Sequence, residues 1–282
     1  MDDSRLPHFD LVVATVDRVA DLERLLESLE RQSHQGFRVL IVDQNDDDRL
    51  GPLLERPRAF EVTRLSSATR GLSRARNAAL PLVRAELVAF PDDDCVFPSD
   101  LLERVGRRLQ DQPELDGLTG RAVDGRGGSS SSWARDPAVL SRDNLWNRAI
   151  SFTIFVRATL VDRVGAFDEA LGLGAGGAWS SGEEIDYLVR ALDAGAQVEY
   201  DPELVVLHRE KALSPASLQS VGARDGASIG YILRKHRYRL PTVARMFARP
   251  LGGALISLLR RDSSQARFHL STLRGRLLGY RS

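Results

Sequence analysis

Residues 86–95, ELVAFPDDDC, carry the pattern around which the rest of the chain is organised. The apolar segment ELVAF has the length and composition of a buried strand, and it leads directly into Asp92, Asp93 and Asp94. Adjacent like charges repel, and a divalent cation such as magnesium, which prefers oxygen ligands, would compensate them. The alternative is a solvated acidic turn before a helix that begins near Pro98. Open α/β sheets bind ligands at the carboxyl ends of their strands, which favours a functional site here.

Alternating strand and helix patterns surround this segment. Apolar runs at 9–15, 36–46 and 59–65 predict three earlier strands, and residues 115–123 predict a later one. Leucines at the spacing of one helix face follow the first strand, in residues 22–29. The alternation predicts an α/β fold with a mostly parallel sheet that helices cover on both faces.

Composition limits the class of protein. The 282 residues suffice for one large α/β domain with a smaller appendage, and a hydrophobic content of 43% is typical of a globular protein. No apolar run reaches the length of about 18 residues that a membrane-spanning helix needs, and the polar start MDDSRLPHFD does not resemble a secretory signal. The single Cys95 excludes an intrachain disulfide and suits a reducing compartment. These features predict a cytoplasmic protein.

Charge is distributed unevenly along the chain. Residues 231–282 hold 12 of the 39 Lys and Arg residues and one of the 39 acids, Asp262, so this segment has a formal net charge of +11 and the rest −11. Such asymmetry indicates an anionic partner for the basic segment: a membrane, a nucleic acid or the acidic body itself.

Polar candidates also follow the first two predicted strands. They are Thr15, Asp17 and Arg18 after the first strand and Asp43 at the end of the second. An acid at the position of Asp43 commonly meets a ribose or a base edge. A turn or helix cap is the structural alternative, because Asp serves well in both.

A basic helical segment follows the third predicted strand. The polar residues of this segment either meet phosphates or belong to a solvated face; they are Arg70, Arg74, Arg76 and Asn77. The glycine-rich turn that a dinucleotide fingerprint or a P-loop requires is absent after the first strand.

The glycine-rich loop at residues 172–182 precedes a helix with an acidic first turn. Glycine content of this kind suggests a loop that closes over substrate. Within the loop, Trp179 either stacks on a sugar ring or acceptor or anchors the loop itself. The acids of the helix are Glu183, Glu184 and Asp186. The capping-box spacing from Ser181 explains Glu184 structurally, and the helix dipole favours all three acids.

These motifs, taken in order, resemble those of family 2 glycosyltransferases of the GT-A fold. The matching segments within residues 8–210 are VVATVDR, RVLIVDQND, RGLSRARNAAL, ELVAFPDDDC, GAFDEALGLGAGGAWSSGEEIDYLVRAL and VVLHRE. The resemblance implies inverting transfer of a sugar from a nucleotide-sugar donor to a saccharide or lipid-linked acceptor, in polysaccharide or glycolipid assembly. It also implies a divalent metal cofactor, Mn²⁺ or Mg²⁺.

The resemblance also assigns roles on the donor side. Asp43 matches the acid that contacts the nucleobase or ribose, and Arg74 and Asn77 lie in the nucleotide-side helix motif. Asp92 and Asp94 match the outer positions of the metal-binding motif. The full predicted nucleotide-sugar site is Thr15, Asp17, Arg18, Asp43, Arg74, Asn77, Asp92 and Asp93.

Two further roles follow from the same resemblance. Family members carry a catalytic acid as the second residue of a Glu-Asp pair, and Glu184 holds that position here; because it is Glu and not Asp, Glu183 and Asp186 stay open as the base. His208 lies where some relatives have a metal ligand, and imidazole with carboxylates suits manganese as well as magnesium. The alternative for His208 is an ordinary residue at a sheet edge.

Two other functional classes are less compatible with the sequence. A sugar-phosphate nucleotidyltransferase shares the α/β character, but its glycine- and basic-rich first loop is missing. A non-enzymatic sugar- or lipid-binding module would not need both the acidic cluster and the Glu183–Glu184 pair.

The family resemblance ends before the basic segment, which predicts a GT-A catalytic domain at 1–211 and a helical basic extension at 212–282. Apolar residues at helical spacing lie beside arginines near its end: Ala266, Leu270, Leu273, Leu277 and Tyr280. This pattern predicts an amphipathic helix on anionic lipid at the inner face of the plasma membrane, with no nucleic-acid partner. Packing on the catalytic domain or on a second protomer is the alternative.

Overall fold

A computed structural model describes residues 5–125, 127–129, 132–208 and 214–282. The strands are β1 (Phe9–Thr15), β2 (Phe37–Asp43), β3 (Glu61–Ser66), β4 (Leu87–Ala89), β5 (Cys95–Val96), β6 (Gly117–Val123), β7 (Ala138–Val139), β8 (Ile154–Arg157) and β9 (Val198–His208). The helices are α1 (Val19–Glu30), α2 (Gly51–Leu54), α3 (Leu72–Ala79), α4 (Leu101–Asp111), α5 (Ala158–Val164), α6 (Glu183–Asp193), α7 (Pro215–Lys235), α8 (Leu240–Leu259) and α9 (Ser263–Arg281).

The chain divides into two compact units. Among the described residues, the first unit takes 5–70, the described part of 74–167, and 187–208. The second unit takes 71–73, 168–186 and 214–282. The domain boundary predicted at 211/212 lies outside the described residues.

A mixed sheet forms the centre of the first unit, with the strand order β3-β2-β1-β4-β8-β6-β9-β5 and β7 beside β9. Parallel pairing joins β3, β2, β1 and β4, and also β6 with β9. The strands β8, β5 and β7 pair antiparallel with their neighbours. The predicted α/β class is confirmed. The strands β1 to β4 form a parallel block. Long connections separate these strands along the chain, as parallel pairing requires.

Helix α1 forms where the sequence predicts a helix, because its apolar face is buried. Its leucine face is fully buried in the core of the first unit, at Leu22, Leu25, Leu26 and Leu29. Burial of each such side chain stabilises the fold by about 1.5–3 kcal/mol relative to exposure. The apolar strand β1 lies between β2 and β4 and is buried along nearly its whole length.

Strand register in the first unit brings polar side chains to one edge of the sheet. Thr15 at the end of β1 pairs with Asp43 at the end of β2, and Asp43 pairs with Ser66 of β3. The segment after β4 carries the acidic cluster, and Cys95 of β5 pairs with His208 at the end of β9. Residues that are far apart in sequence therefore lie at the same edge of the sheet.

The second unit is largely helical, and its helices α7 and α9 approach to backbone contact. Glycines line both helices at intervals of four residues, at Gly222, Gly226 and Gly230 on α7 and at Gly275 and Gly279 on α9. A Cβ atom added at Gly226 would lie 2.3 Å from the carbonyl oxygen of Thr272, and one at Gly279 would lie 1.9 Å from that of Ala227. Only glycine fits at these contacts.

The predicted helical C-terminal region is present as α7, α8 and α9. Within the described residues, no helix combines the length and the hydropathy needed to cross a bilayer.

Gly279→Ala should destabilise the protein by at least the cost of an overpacked core, about 1–3 kcal/mol. The added methyl group would overlap backbone atoms of α7, which cannot rotate away as the end of a side chain can. Urea-induced unfolding followed by circular dichroism measures this loss. Gly252→Ala in α8 is the matched control, since nothing lies within 4 Å of its added Cβ and Gly→Ala in an open helix position stabilises by about 0.4–1 kcal/mol. Equal changes in the two variants would contradict the tight α7–α9 contact.

Candidate functional site

The acidic cluster forms a turn directly after β4. The turn is closed by the backbone N–H of Cys95, which donates to the carbonyl oxygen of Asp92 at 3.2 Å. Asp93 is buried within it, whereas Asp92 and Asp94 are less completely covered. Burial raises the pKa of the Cys95 thiol well above its usual value, so the thiol stays protonated and packs as a small apolar group.

Asp93 ties the ends of β1 and β4 together. It accepts hydrogen bonds from Thr15 Oγ1 at 2.8 Å and from Arg18 Nη1 at 2.8 Å, and the same guanidinium donates to Asp94 at 2.7 Å. Burial raises the pKa of Asp93, although the charge of Arg18 opposes the shift. Burial disfavours the charge on Arg18, but both carboxylates more than offset this and raise its pKa. Arg18 thus compensates two of the three acids.

Asp92, Asp94 and His208 form the candidate metal centre. Each offers one ligand atom, and these atoms all lie within 4.8 Å of one another. His208 Nε2 lies 3.0 Å from Asp94 Oδ1, and its ring stacks on Phe152 with centroids 4.8 Å apart. Hydrogen bonding to Asp94 raises the pKa of His208. Two carboxylates and an imidazole fit a divalent cation such as Mn²⁺ or Mg²⁺.

Arg76, for which the sequence left a phosphate contact or a solvated face open, is buried beside the acidic cluster. Its side chain is 1% exposed, its guanidinium lies 3.2 Å from Asp92, and it faces the rings of Phe90 and Phe167 at 5.8 and 5.5 Å. Its position in the sequence indicates this burial, because residues 72, 75, 76 and 79 have the spacing of one buried helix face. A buried arginine beside Asp92 compensates and orients that carboxylate.

Asp43 lies buried at the end of β2. Its carboxylate accepts from the backbone and side chain of Asn45, at 2.9 and 2.7 Å, and from Arg64 Nε at 2.9 Å. Asp17 has a φ of 60°, and its N–H donates to Asn45 Oδ1 at 2.8 Å. Its carboxylate pairs with Arg49. The two predicted acids are therefore linked through Asn45.

The side chain of Asn77 is hydrogen-bonded to the backbone of Phe167. Its side-chain amide donates to the carbonyl of Phe167 at 3.0 Å and accepts from the N–H of the same residue at 2.7 Å. Arg74 is partly exposed, and its Nη1 donates to the carbonyl of Arg70 at 3.3 Å.

In the second unit, the three candidate bases differ in their environments. Asp186 is fully buried and accepts from Lys235 Nζ at 2.5 Å and His236 Nε2 at 2.8 Å. Glu183 is also buried, whereas Glu184 is partly exposed. Of these three carboxylates, Glu184 is the one that solvent and a ligand reach most readily.

Trp179 stacks on Tyr231 of α7, with ring centroids 4.9 Å apart and planes 13° apart. The N–H of Ser181 in the same loop donates to Ser228 Oγ at 3.3 Å. Gly182, with φ +84°, provides the left-handed turn that leads into α6. The loop is thus anchored on α7 through an aromatic pair that stays partly exposed.

A surface cavity of about 710 Å³ lies in the first unit at the opposite ends of the strands, lined among others by Asp10, Arg38 and Glu61. It contains none of the predicted site residues. We assign the chemistry to the acidic cluster because carboxylates and a histidine converge there.

Known proteins that are similar to this chain are glycosyltransferases. A model of the family described as "Glycosyl transferase family 2" matches residues 10–163. A pre-mycofactocin glycosyltransferase of Mycobacterium tuberculosis is 27% identical over 216 residues, which cover 70% of this chain and 42% of the relative. The chain spans less than half the length of the curated relatives that it matches.

Two solved structures share the fold. The mannosyltransferase PcManGT from Pyrobaculum calidifontis, in complex with GDP-Man and Mn²⁺, has a TM-score of 0.64 and 15% identity, covering 99% of this chain and 88% of its own. S. aureus TarS residues 1–349, in complex with UDP-GlcNAc, has a TM-score of 0.60 and 18% identity, covering 95% and 92%. At this identity the likeness shows the fold alone, and it confirms the predicted GT-A type.

Asp94→Asn and His208→Ala should each lower the affinity for Mn²⁺ by about tenfold or more, because each removes a ligand or its charge. Isothermal titration calorimetry of the metal alone measures this without any substrate. Asp46→Asn is the control, since it removes an exposed acid outside the cluster. Unchanged Mn²⁺ binding in both cluster variants would contradict the assigned centre.

Proposed function

We propose that this chain, which belongs to glycosyl transferase family 2, transfers a sugar from a nucleoside-diphosphate sugar to an acceptor hydroxyl with inversion. The observation that carries the proposal is the convergence of Asp92, Asp94 and His208 at the carboxyl ends of the strands. Ligands of open α/β sheets bind at this edge. The catalytic domain is assigned to 1–211 and the helical basic extension to 212–282.

Asp92, Asp94 and His208 would hold the divalent metal, Mn²⁺ or Mg²⁺. When bound, such a metal acts as a Lewis acid at phosphoryl oxygens and neutralises a leaving diphosphate. Arg76 and Arg18 hold the carboxylates in place from the protein side. Asp93 then has a positioning role, because both of its oxygens are engaged by Thr15 and Arg18.

The donor's nucleoside is assigned to the ends of β1 and β2. Asp43 is the candidate contact for the ribose or base, with Thr15, Asp17 and Arg18 from the first connection. Arg74 is the candidate contact for a phosphate. Asn77 is retained as a positioning residue, since its amide holds the backbone of Phe167.

Glu184 is the proposed general base, which removes the proton of the acceptor hydroxyl as that oxygen attacks the anomeric carbon. Its partial exposure supports this choice. Asp186 is already paired with Lys235 and His236, which suits a structural role. Base assistance of this kind accelerates a reaction by about 10²–10⁴.

The proposed acceptor is a saccharide or a lipid-linked sugar, consistent with polysaccharide or glycolipid assembly. Trp179 supports this assignment, because an aromatic ring stacked on Tyr231 and still partly exposed offers an apolar face to a sugar. The proposed location is the cytoplasm or the inner face of the plasma membrane.

A screen of nucleotide sugars with Mn²⁺ or Mg²⁺ should identify at least one that stabilises the chain and releases a nucleoside diphosphate in the presence of acceptor. A ligand at 100 times its dissociation constant adds about 2.7 kcal/mol of stability, which thermal unfolding detects. Excess chelator should abolish turnover. Binding of a sugar without any turnover would favour a binding module. Conversion of the nucleotide sugar and added pyrophosphate to a nucleoside triphosphate and a sugar 1-phosphate would favour a nucleotidyltransferase.

Glu184→Gln should reduce turnover by about 10²–10⁴ while donor affinity stays close to that of the parent, because Gln keeps the size but accepts no proton. Steady-state kinetics and donor binding by calorimetry separate the two effects. Asp186→Asn is the comparison variant, and it should lower thermal stability, since it removes the charge of a fully buried carboxylate that Lys235 and His236 contact. An active Glu184→Gln with an inactive, stable Glu183→Gln or Asp186→Asn would show that the base is a different acid.

A further inference from the structure

Helix α8 is apolar on two opposite sides, and only one of them is covered. Its inner side packs within the second unit at Val243, Met246, Pro250 and Ala254. Its outer side exposes a row of leucines whose residues are 57%, 60%, 58% and 77% accessible: Leu251, Leu255, Leu258 and Leu259. The spacing of four, three and one residues places them on one helix face, which Ala248, Ala244 and Leu240 extend toward the N-terminus. An apolar face of this length on a water-exposed helix calls for a partner.

Arginines border this leucine row. Arg245, Arg249 and Arg260 each lie one residue after a member of the apolar row, which places them about 100° around the helix on one flank. Helix α8 contains no Asp or Glu, and Asp262 is the sole acid among residues 231–282. The partner must therefore combine apolar surface with negative charge.

Helix α9 does not present the face that its sequence predicts. Ala266 is buried, and Tyr280 packs edge-on against Phe247 of α8. Leu270 and Leu277 are exposed between Arg267, Arg274 and Arg281, whereas the closest packing of the helix uses Gly275 and Gly279. The predicted apolar stripe is split because backbone contact with α7 fixes the rotation of α9. The larger exposed apolar face belongs to α8.

We propose that the outer face of α8 docks onto an anionic lipid bilayer. The helix would lie in the plane of the interface, with its leucine row among the acyl chains and its arginines at the headgroups, as basic amphipathic helices do. Its 20 residues extend about 30 Å, so the contact along the bilayer surface is long. The inference goes beyond the proposed sugar transfer and does not depend on it.

A second copy of the chain fits this face less well. Twofold pairing of the leucine rows would bring Arg249 and Arg260 of one copy near the same arginines of the other, with no acid on α8 to compensate them. Juxtaposed like charges oppose association. An anionic bilayer offers both required properties, since each basic residue near its surface strengthens binding about fivefold.

The test is co-sedimentation of the full chain with vesicles of phosphatidylcholine alone and with vesicles of equimolar phosphatidylcholine and phosphatidylglycerol. We expect binding to the anionic vesicles, release by high salt, and little binding to the neutral ones. The double variants Leu255→Gln/Leu259→Gln and Arg249→Gln/Arg260→Gln should each lower partitioning by about tenfold or more. All four positions are exposed, so thermal stability and donor-induced stabilisation should stay unchanged.

Matched controls separate this surface from general charge and apolarity. Val139→Gln removes another exposed apolar side chain, 59% accessible on β7, and Arg31→Gln removes an exposed arginine after α1. Both should bind anionic vesicles like the parent. The proposal is overturned if the parent binds no vesicles, or if both double variants bind as the parent does. It is also overturned if the parent is a dimer that Leu255→Gln/Leu259→Gln dissociates while neither protein binds vesicles.

Discussion

Compensation of adjacent carboxylates is the constraint on which the first unit depends. Three consecutive acids lie two residues after β4, and one of them, Asp93, is buried. Removing such charges from water costs several kcal/mol each unless opposite charge and hydrogen bonds replace the lost hydration. Arg18 meets two of the acids from the β1 connection, and Arg76 meets the third from α3. The order of the parallel strands makes this possible, because it places the end of β1 beside the end of β4.

The same constraint explains why a site at this edge can take a cation. The protein's arginines reach Asp92 and Asp94 from their own side, and His208 approaches from β9. The two arginines compensate and orient these carboxylates from the protein side. This arrangement of the three side chains supports the divalent-metal site proposed above.

The second unit depends on a different constraint, which is shape. Helices α7 and α9 pack at backbone distance through glycines, and this packing fixes which sides of the helices remain outside. At the C-terminal end of α7, the buried Asp186 contacts Lys235 and His236. The outcome is a bundle whose exposed leucines lie mainly along α8, with exposed arginines beside them. We attribute its proposed contact with anionic lipid to this arrangement.

The sequence by itself determined the α/β class, the acidic cluster after β4 and the helical C-terminal region, because these follow from local periodicity and from motifs of adjacent residues. Only the tertiary structure decided which side chains meet. It buried Arg76 beside Asp92, engaged Asn77 with the backbone of Phe167, and paired Asp186 with Lys235. It also placed the larger exposed apolar face on α8 and not on α9. Such contacts depend on strand order and helix rotation, which long-range packing sets and local sequence does not encode.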